Sequence, residues 1–106
     1  MEIAIKDAGS TATMTLIGRL DILGAESIDL PLATLSGSKN EILIDMAGVT
    51  FIASIGLRHL VLAAKAVQRR GGRLTLLNPS AAVDEVITMS GLTILLPIER
   101  SAIPPG

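Results

Sequence analysis

Residues 41–60, EILIDMAGVTFIASIGLRHL, carry the chain from a strand pattern into a helix pattern. The run EILID at 41–45 is aliphatic with charges only at its ends, a pattern that suits a strand covered on more than one side. Further on, Leu57, Leu60, Val61, Ala64 and Val67 fall on one arc at roughly 100° per residue, which predicts a helix from about residue 55 to 70 with that arc in the core. Ser54 stands at the junction of the two.

Working outward, Glu2–Lys6 alternates with Ile3 and Ile5 on one side, and beyond the turn-like DAGS, Ala12, Met14 and Leu16 alternate with Thr11, Thr13 and Thr15. These two runs read as an antiparallel hairpin. RLTLL at 73–77 and TILLPI at 93–98 repeat the character of EILID and read as further strands, central or parallel. Helical spacing recurs at Ile28, Leu32 and Leu35, and at Ala82, Val83, Val86 and Ile87. Inside the first of these helices Pro31 removes a hydrogen bond and costs about 3 kcal/mol, whereas in the first turn it costs little, so the start of that helix stays open. The expected order is ββαβαβαβ. It implies an α/β fold, a mixed β-sheet opened by an antiparallel hairpin and covered by helices, in a single domain over 1–100 with a flexible C-terminal tail, 101–106.

Composition narrows the function. The chain has 106 residues, 49% of them hydrophobic but only 1% aromatic, so Phe51 is the one ring and base-stacking platforms are absent. Nine Lys+Arg against ten Asp+Glu leave no excess to neutralise phosphates, which argues against nucleic acid as a partner. Mean hydropathy is high at +0.59, yet the longest uncharged run, the 13 residues Val86–Ile98, is too short to span a bilayer. No direct membrane insertion is expected. Charges at Glu2, Lys6 and Asp7 interrupt any signal-like start, so the chain is expected in the cytoplasm. With no cysteine and one histidine, neither a disulfide nor a metal site is expected.

The predicted 55–70 helix has a second notable side. Ile55, Leu62 and Ala66 cluster away from the core, bordered by Arg58, Lys65 and Arg69 on one side and by His59 and Arg70 on the other. Read plainly, these are isolated surface hydrophobes. Read functionally, they are a protein-docking strip beginning beside Ser54. Ser54 also has two readings: an N-cap whose hydroxyl bonds the first turn, or a phosphorylation site at a helix N-terminus, where a phosphate is well tolerated. Catalysis is not expected, since His59 lies about 140° around the helix from Ser54 and the pair cannot act as nucleophile and base. No cofactor is expected, because neither a P-loop nor a dinucleotide-binding glycine motif is present. RRGG at 69–72 reads as the helix end, with a glycine in the left-handed cap.

From EILIDMAGVTFIASIGL through GGRLTLLNPSAAVDEVITMSGLTILLPI the chain resembles the STAS domain, and Gly18–Asp21, GRLD, resembles that family's motif after its second strand. In the family's anti-sigma factor antagonists the region reads like D-[LF]-S-x-V-x-[FY]-[IM]-D-S-[ST]-G, which Asp45, Val49, Phe51, Ile52, Ser54 and Gly56 match. The resemblance implies a non-enzymatic partner switch with Ser54 as the phosphoacceptor. Unphosphorylated, the chain would bind an anti-sigma factor that is a GHKL-type serine kinase; phosphorylated, it would let go, and a PP2C-type phosphatase would reset it. The implied partner-binding residues are Asp21, Ala53, Ser54, Ile55, Gly56, Arg58, His59 and Leu62. Ala53 stands where the family usually has Asp, and Ile55 where it has a small hydroxyl residue. The first change removes a charge beside the acceptor and the second enlarges the apolar strip. The other function weighed is a constitutive STAS subunit of a transport-associated, ABC-type complex, in which Ser54 is only a cap. A ligand-binding sensor lacks a visible set of converging polar residues.

Overall fold

A two-residue turn at Gly9–Ser10 folds the first two strands back on each other, and Gly9 takes the positive φ of 69° that such a turn asks of its first central residue. Strand β1 (Glu2–Ala8) thereby pairs antiparallel with β2 (Thr11–Leu20), Ile3 opposite Leu16 and Ile5 opposite Met14. The computed structural model describes residues 1–100; the tail expected at 101–106 lies outside the described residues. After the hairpin come α1 (Ile22–Ser38), β3 (Glu41–Ile52), α2 (Ser54–Arg69), β4 (Arg73–Leu77), α3 (Ala81–Met89) and β5 (Ile98–Glu99). The order is the expected ββαβαβαβ.

The five strands lie in chain order, and β2 through β5 run parallel. Register places Ala12, Ile42 and Leu74 in one row across β2, β3 and β4, and Met14, Ile44 and Leu76 in another. All six are buried, and Ile28, Leu32 and Leu35 of α1 join Leu57, Leu60, Ala64 and Val67 of α2 in the same core. In β4, Thr75 is buried together with Leu74 and Leu76, so this strand is covered on both faces, as its aliphatic run predicts. Val83 and Ile87 are the buried residues of α3, which packs on β3.

The structure decides the start of α1, which the sequence leaves open, and corrects other expectations. Pro31 lies well inside α1, leaving the Ser27 carbonyl without its usual donor. The helix persists because burying Ile28, Leu32 and Leu35, at about 1.5–3 kcal/mol each, outweighs the roughly 3 kcal/mol that the ring costs. TILLPI, expected as a central or parallel strand, contributes only Ile98 to a strand, which is parallel but at the sheet edge. Leu96 donates to the Leu92 carbonyl at 2.8 Å to close a turn, Pro97 has no N–H for a ladder, and only Ile98–Glu99 pair with Leu76–Leu77 at the sheet edge. Ala82 and Val86 are exposed on α3, and Val61 is only half-buried. Strand β3 runs seven residues past EILID, to Ile52, and delivers the chain straight to Ser54.

Candidate functional site

The sheet brings two separate stretches of sequence to one place. Because β2 and β3 are parallel, Leu20 lies opposite Ile52, and both strands hand over to their helices at the same end. The Ala53 N–H donates to the Leu20 carbonyl at 2.9 Å, which fastens the Ser54 turn to GRLD. Gly56 seals the contact: a Cβ there would stand 2.6 Å from Leu20 Cγ and 3.0 Å from its carbonyl oxygen. At Gly24 a Cβ would meet the Arg19 carbonyl oxygen at 2.3 Å. Both helices therefore need glycine as their third residue.

The two N-termini are capped differently. Asp21 is the N-cap of α1, and its carboxylate accepts from the Gly24 N–H at 2.9 Å. That bond holds the Asp21 carboxyl below its ordinary value of 3.8, against some opposing desolvation and with help from the Arg19 charge. Ala53 is the N-cap of α2 and has no side chain to offer. Ser54, read as a possible cap, is instead the first helical residue, because Ala53 is the residue in the extended conformation, with ψ 164°, whose carbonyl accepts the Leu57 N–H at 3.1 Å. The Ser54 side chain is exposed and makes no hydrogen bond among the described residues. The first turn of α2 is left with unsatisfied N–H groups and a hydroxyl beside them.

Around this corner the candidate residues divide. Ile55 (37% exposed), Arg58 and Leu62 (53%) are on the solvent side of α2, and no ion pair among the described residues involves Arg58, Lys65 or Arg69. Gly56 is buried against Leu20 and contributes shape but no contact surface of its own. The opposite border is turned toward α1: His59 Nδ1 lies 3.4 Å from Asp29 Oδ1, and Arg70 donates to the Ser36 and Lys39 carbonyls at 3.1 and 2.8 Å. The strip thus has one free basic edge, not two. Gly71 takes the expected left-handed cap, with φ 80°.

Two features were not apparent in the sequence. The Arg19 guanidinium lies 4.3 Å from the centre of the Phe51 ring, with its Nε 3.6 Å from Asp21 Oδ2, because the irregular register sets Arg19 opposite Phe51. A composition that gives one aromatic residue does not say which cation covers it. Between α1 and α2 an open groove of about 250 Å³ is lined by Asp29, Leu32, Ser36, His59 and Leu62. Polar groups do converge there from two helices, but the space falls short of the roughly 300–1,000 Å³ usual for small-molecule sites. On α1, Ile22, Leu23 and Leu30 are also exposed. No helix among the described residues is long and apolar enough to cross a membrane.

Comparison with known proteins agrees with this geometry. The protein "Putative anti-sigma factor antagonist BtrV" of Bordetella bronchiseptica is 29% identical over 87 residues, 81% of this chain and 75% of that one. The anti-sigma factor antagonist SpoIIAA in its unphosphorylated form superposes with a TM-score of 0.83 at 24% identity, over 95% of this chain and 89% of that one. The Bacillus cell fate determinant SpoIIAA in its phosphorylated form superposes at 0.77 and 23% identity, over 95% and 92%. At these identities the superpositions establish the fold. The STAS domain profile matches residues 2–102, nearly the whole chain, and the protein therefore belongs to the STAS domain family.

Proposed function

We propose that this STAS protein is an anti-sigma factor antagonist switched by phosphorylation of Ser54. Unphosphorylated, it docks a GHKL-type serine-kinase anti-sigma factor in the cytoplasm through Asp21, the Ser54 turn and the Ile55–Arg58–Leu62 side of α2. Phosphorylation by that kinase releases it, and a PP2C-type phosphatase restores binding. The protein itself performs no catalysis. The observation that carries this reading is the exposed, unbonded Ser54 hydroxyl at the uncapped start of α2, set directly against an apolar surface.

The physics of the switch is local. A phosphoserine brings about −1.5 to −2 charges at pH 7. Placed on the first residue of α2, it meets the positive end of the helix dipole and N–H groups that no side chain satisfies. Arg58, one turn on, lies on the neighbouring surface and is free of ion pairs among the described residues. The protein accommodates the charge without refolding, in keeping with the similarity of this chain to SpoIIAA in both of its forms. A partner whose apolar residues cover Ile55 and Leu62 has no such provision, and it must desolvate the dianion or leave.

The chain isolated from its source cells is expected to carry a phosphate at Ser54 that a PP2C-type phosphatase removes, as read by peptide mass spectrometry. No modification of Ser54 under any growth condition, or on incubation with ATP and a kinase that binds the chain, overturns the phospho-switch.

A further inference from the structure

We propose that the free edge of β1 is an interface with a second copy of this chain, formed by antiparallel β1–β1 pairing centred on Ala4. Strand β1 ends the sheet on one side, and six of its seven residues, all but Ile3, are exposed. Its hydrogen-bonding phase follows from the turn. In a two-residue hairpin the flanking pair, Ala8 and Thr11, bond each other, and the bonding alternates from there. Lys6, Ala4 and Glu2 accordingly face β2. The N–H and C=O of Ile3, Ile5 and Asp7 face outward. The same alternation sends the Ser10 carbonyl toward β3, where it accepts from the Asn40 and Glu41 N–H groups at 2.8 and 3.2 Å.

An unpaired strand edge is commonly blunted by a lysine, and Lys6 has that position here. What distinguishes this edge is Glu2, exposed on the same face four residues earlier. Two copies related by a two-fold axis through the sheet pair residues of the same face, so the axis must pass through a residue. About Ala4, Glu2 of each copy faces Lys6 of the other, Ile3 faces Ile5, and Ala4 faces Ala4. Moving the axis to Ile5 sets Lys6 against Ala4 and Ile3 against Asp7. Moving it to Ile3 sets Glu2 against Ala4 and Met1 against Ile5, so Glu2 no longer meets Lys6. Charge complementarity therefore selects a single register.

In that register the parts fit. Each Ile3–Ile5 pair exchanges two backbone hydrogen bonds, and the Glu2–Lys6 pairs fall at the non-hydrogen-bonded positions, where side chains approach most closely. Ile5, 46% exposed in the single chain, packs beside Ile3 of the other copy on the helix-bearing face. The joined sheet has ten strands. Because the two β1 strands run antiparallel, so do the two β2 strands, and the two Ser54 corners point in opposite directions, both open. A short edge with one isoleucine pair on each side of the axis buries less than a standard interface, so the dimer forms reversibly and at high concentration.

Sedimentation velocity over a concentration series, extended to the sub-millimolar range, tests this. Wild type shifts from monomer to dimer. Glu2→Lys and Lys6→Glu each place like charges opposite one another twice and weaken association at least tenfold, with unchanged thermal melts. The double variant Glu2→Lys/Lys6→Glu restores it, and an equimolar mixture of the two single variants forms a heterodimer. Amide exchange at Ile3 and Ile5 slows as dimer accumulates. A wild type that stays monomeric throughout, single variants that associate like wild type, or a double variant that fails to recover overturns the proposal.

Discussion

The starts of α1 and α2 lie side by side and are built alike, Asp21-Ile22-Leu23-Gly24 against Ala53-Ser54-Ile55-Gly56. In each, the cap carbonyl accepts the first helical bond, at 2.8 Å from Ala25 and 3.1 Å from Leu57, and in each the third helical residue is a glycine pressed against the end of β2. They differ in one respect. The Asp21 side chain caps its own helix, and Ser80 does the same for α3 by accepting from Val83 at 3.3 Å, whereas Ala53 has no side chain that can. The helix bearing Ser54 is the one left open to an anion. In the antagonist pattern that the chain resembles, the position of Ala53 is usually Asp, so a cap that could compete with a phosphate, and a charge that would repel it, are both missing.

The comparison breaks most readily at its shared element. Gly24→Ala puts a methyl 2.3 Å from the Arg19 carbonyl oxygen, backbone that cannot move aside, and is expected to destabilise by about 1–3 kcal/mol or more in a denaturant melt. Gly56→Ala meets the Leu20 side chain as well as its carbonyl and should fall in the same range. If both are neutral, the tight seating of the two N-termini is wrong.

A second test separates surface from scaffold. Leu62→Asp, or charge reversal at Arg58, should weaken kinase binding at least tenfold, or about 1.4 kcal/mol by titration calorimetry, with the thermal melt nearly unchanged. Unaltered affinity would move the docking face away from this side of α2.

The difference between the two caps is tested by erasing it. Ala53→Asp gives α2 the cap that α1 has and should stabilise the unphosphorylated protein by roughly 0.5–2 kcal/mol. Its negative charge beside Ser54 should also reduce the stability of the phosphorylated form relative to the unphosphorylated one, and Ala53→Asn, a cap without charge, should not. Equal effects of Asp and Asn on the phosphorylated form would mean that the missing charge is immaterial.

The smallest effect is in the pH dependence of the intact cap. Asp21 has a lowered carboxyl pKa in the folded protein, chiefly through the Gly24 N–H, so folding favours its ionised form. Its contribution is complete above the unfolded value, near 3.8, and is lost as pH falls through the lower folded value. Wild type should lose more stability than Asp21→Ala on acidification through this range; parallel curves would contradict the capping bond.

Much of this arrangement was legible in the sequence, and the exceptions have physical causes. Alternation at Ile3, Ile5, Ala12, Met14 and Leu16 gave the hairpin, and the 3.6-residue spacing of Leu57, Leu60, Ala64 and Val67 gave the buried side of α2. Periodicity says which side of a helix is apolar but not which neighbour covers the rest. Spacing alone for that reason puts His59 and Arg70 on an open border, whereas α1 lies against them through Asp29, Ser36 and Lys39. Ser54 reads as a possible cap because serine favours that position. Whether a residue is the cap or the first helical residue depends on one ψ angle, and here the Leu20–Ala53 hydrogen bond keeps Ala53 extended. TILLPI shows the opposite failure, an apolar run of which only the end joins the sheet: Leu96 is taken up in a turn with Leu92, and the ladder starts at the Pro97 carbonyl and Ile98.

The most direct measurement is a capture experiment from source-cell lysate with wild type, Ser54→Ala and Ser54→Asp as baits and bound proteins identified by mass spectrometry. Wild type and Ser54→Ala should each retain a GHKL-type kinase that Ser54→Asp loses. Retention of the same partner by all three would mean that Ser54 is no switch and that the chain serves as a constitutive subunit.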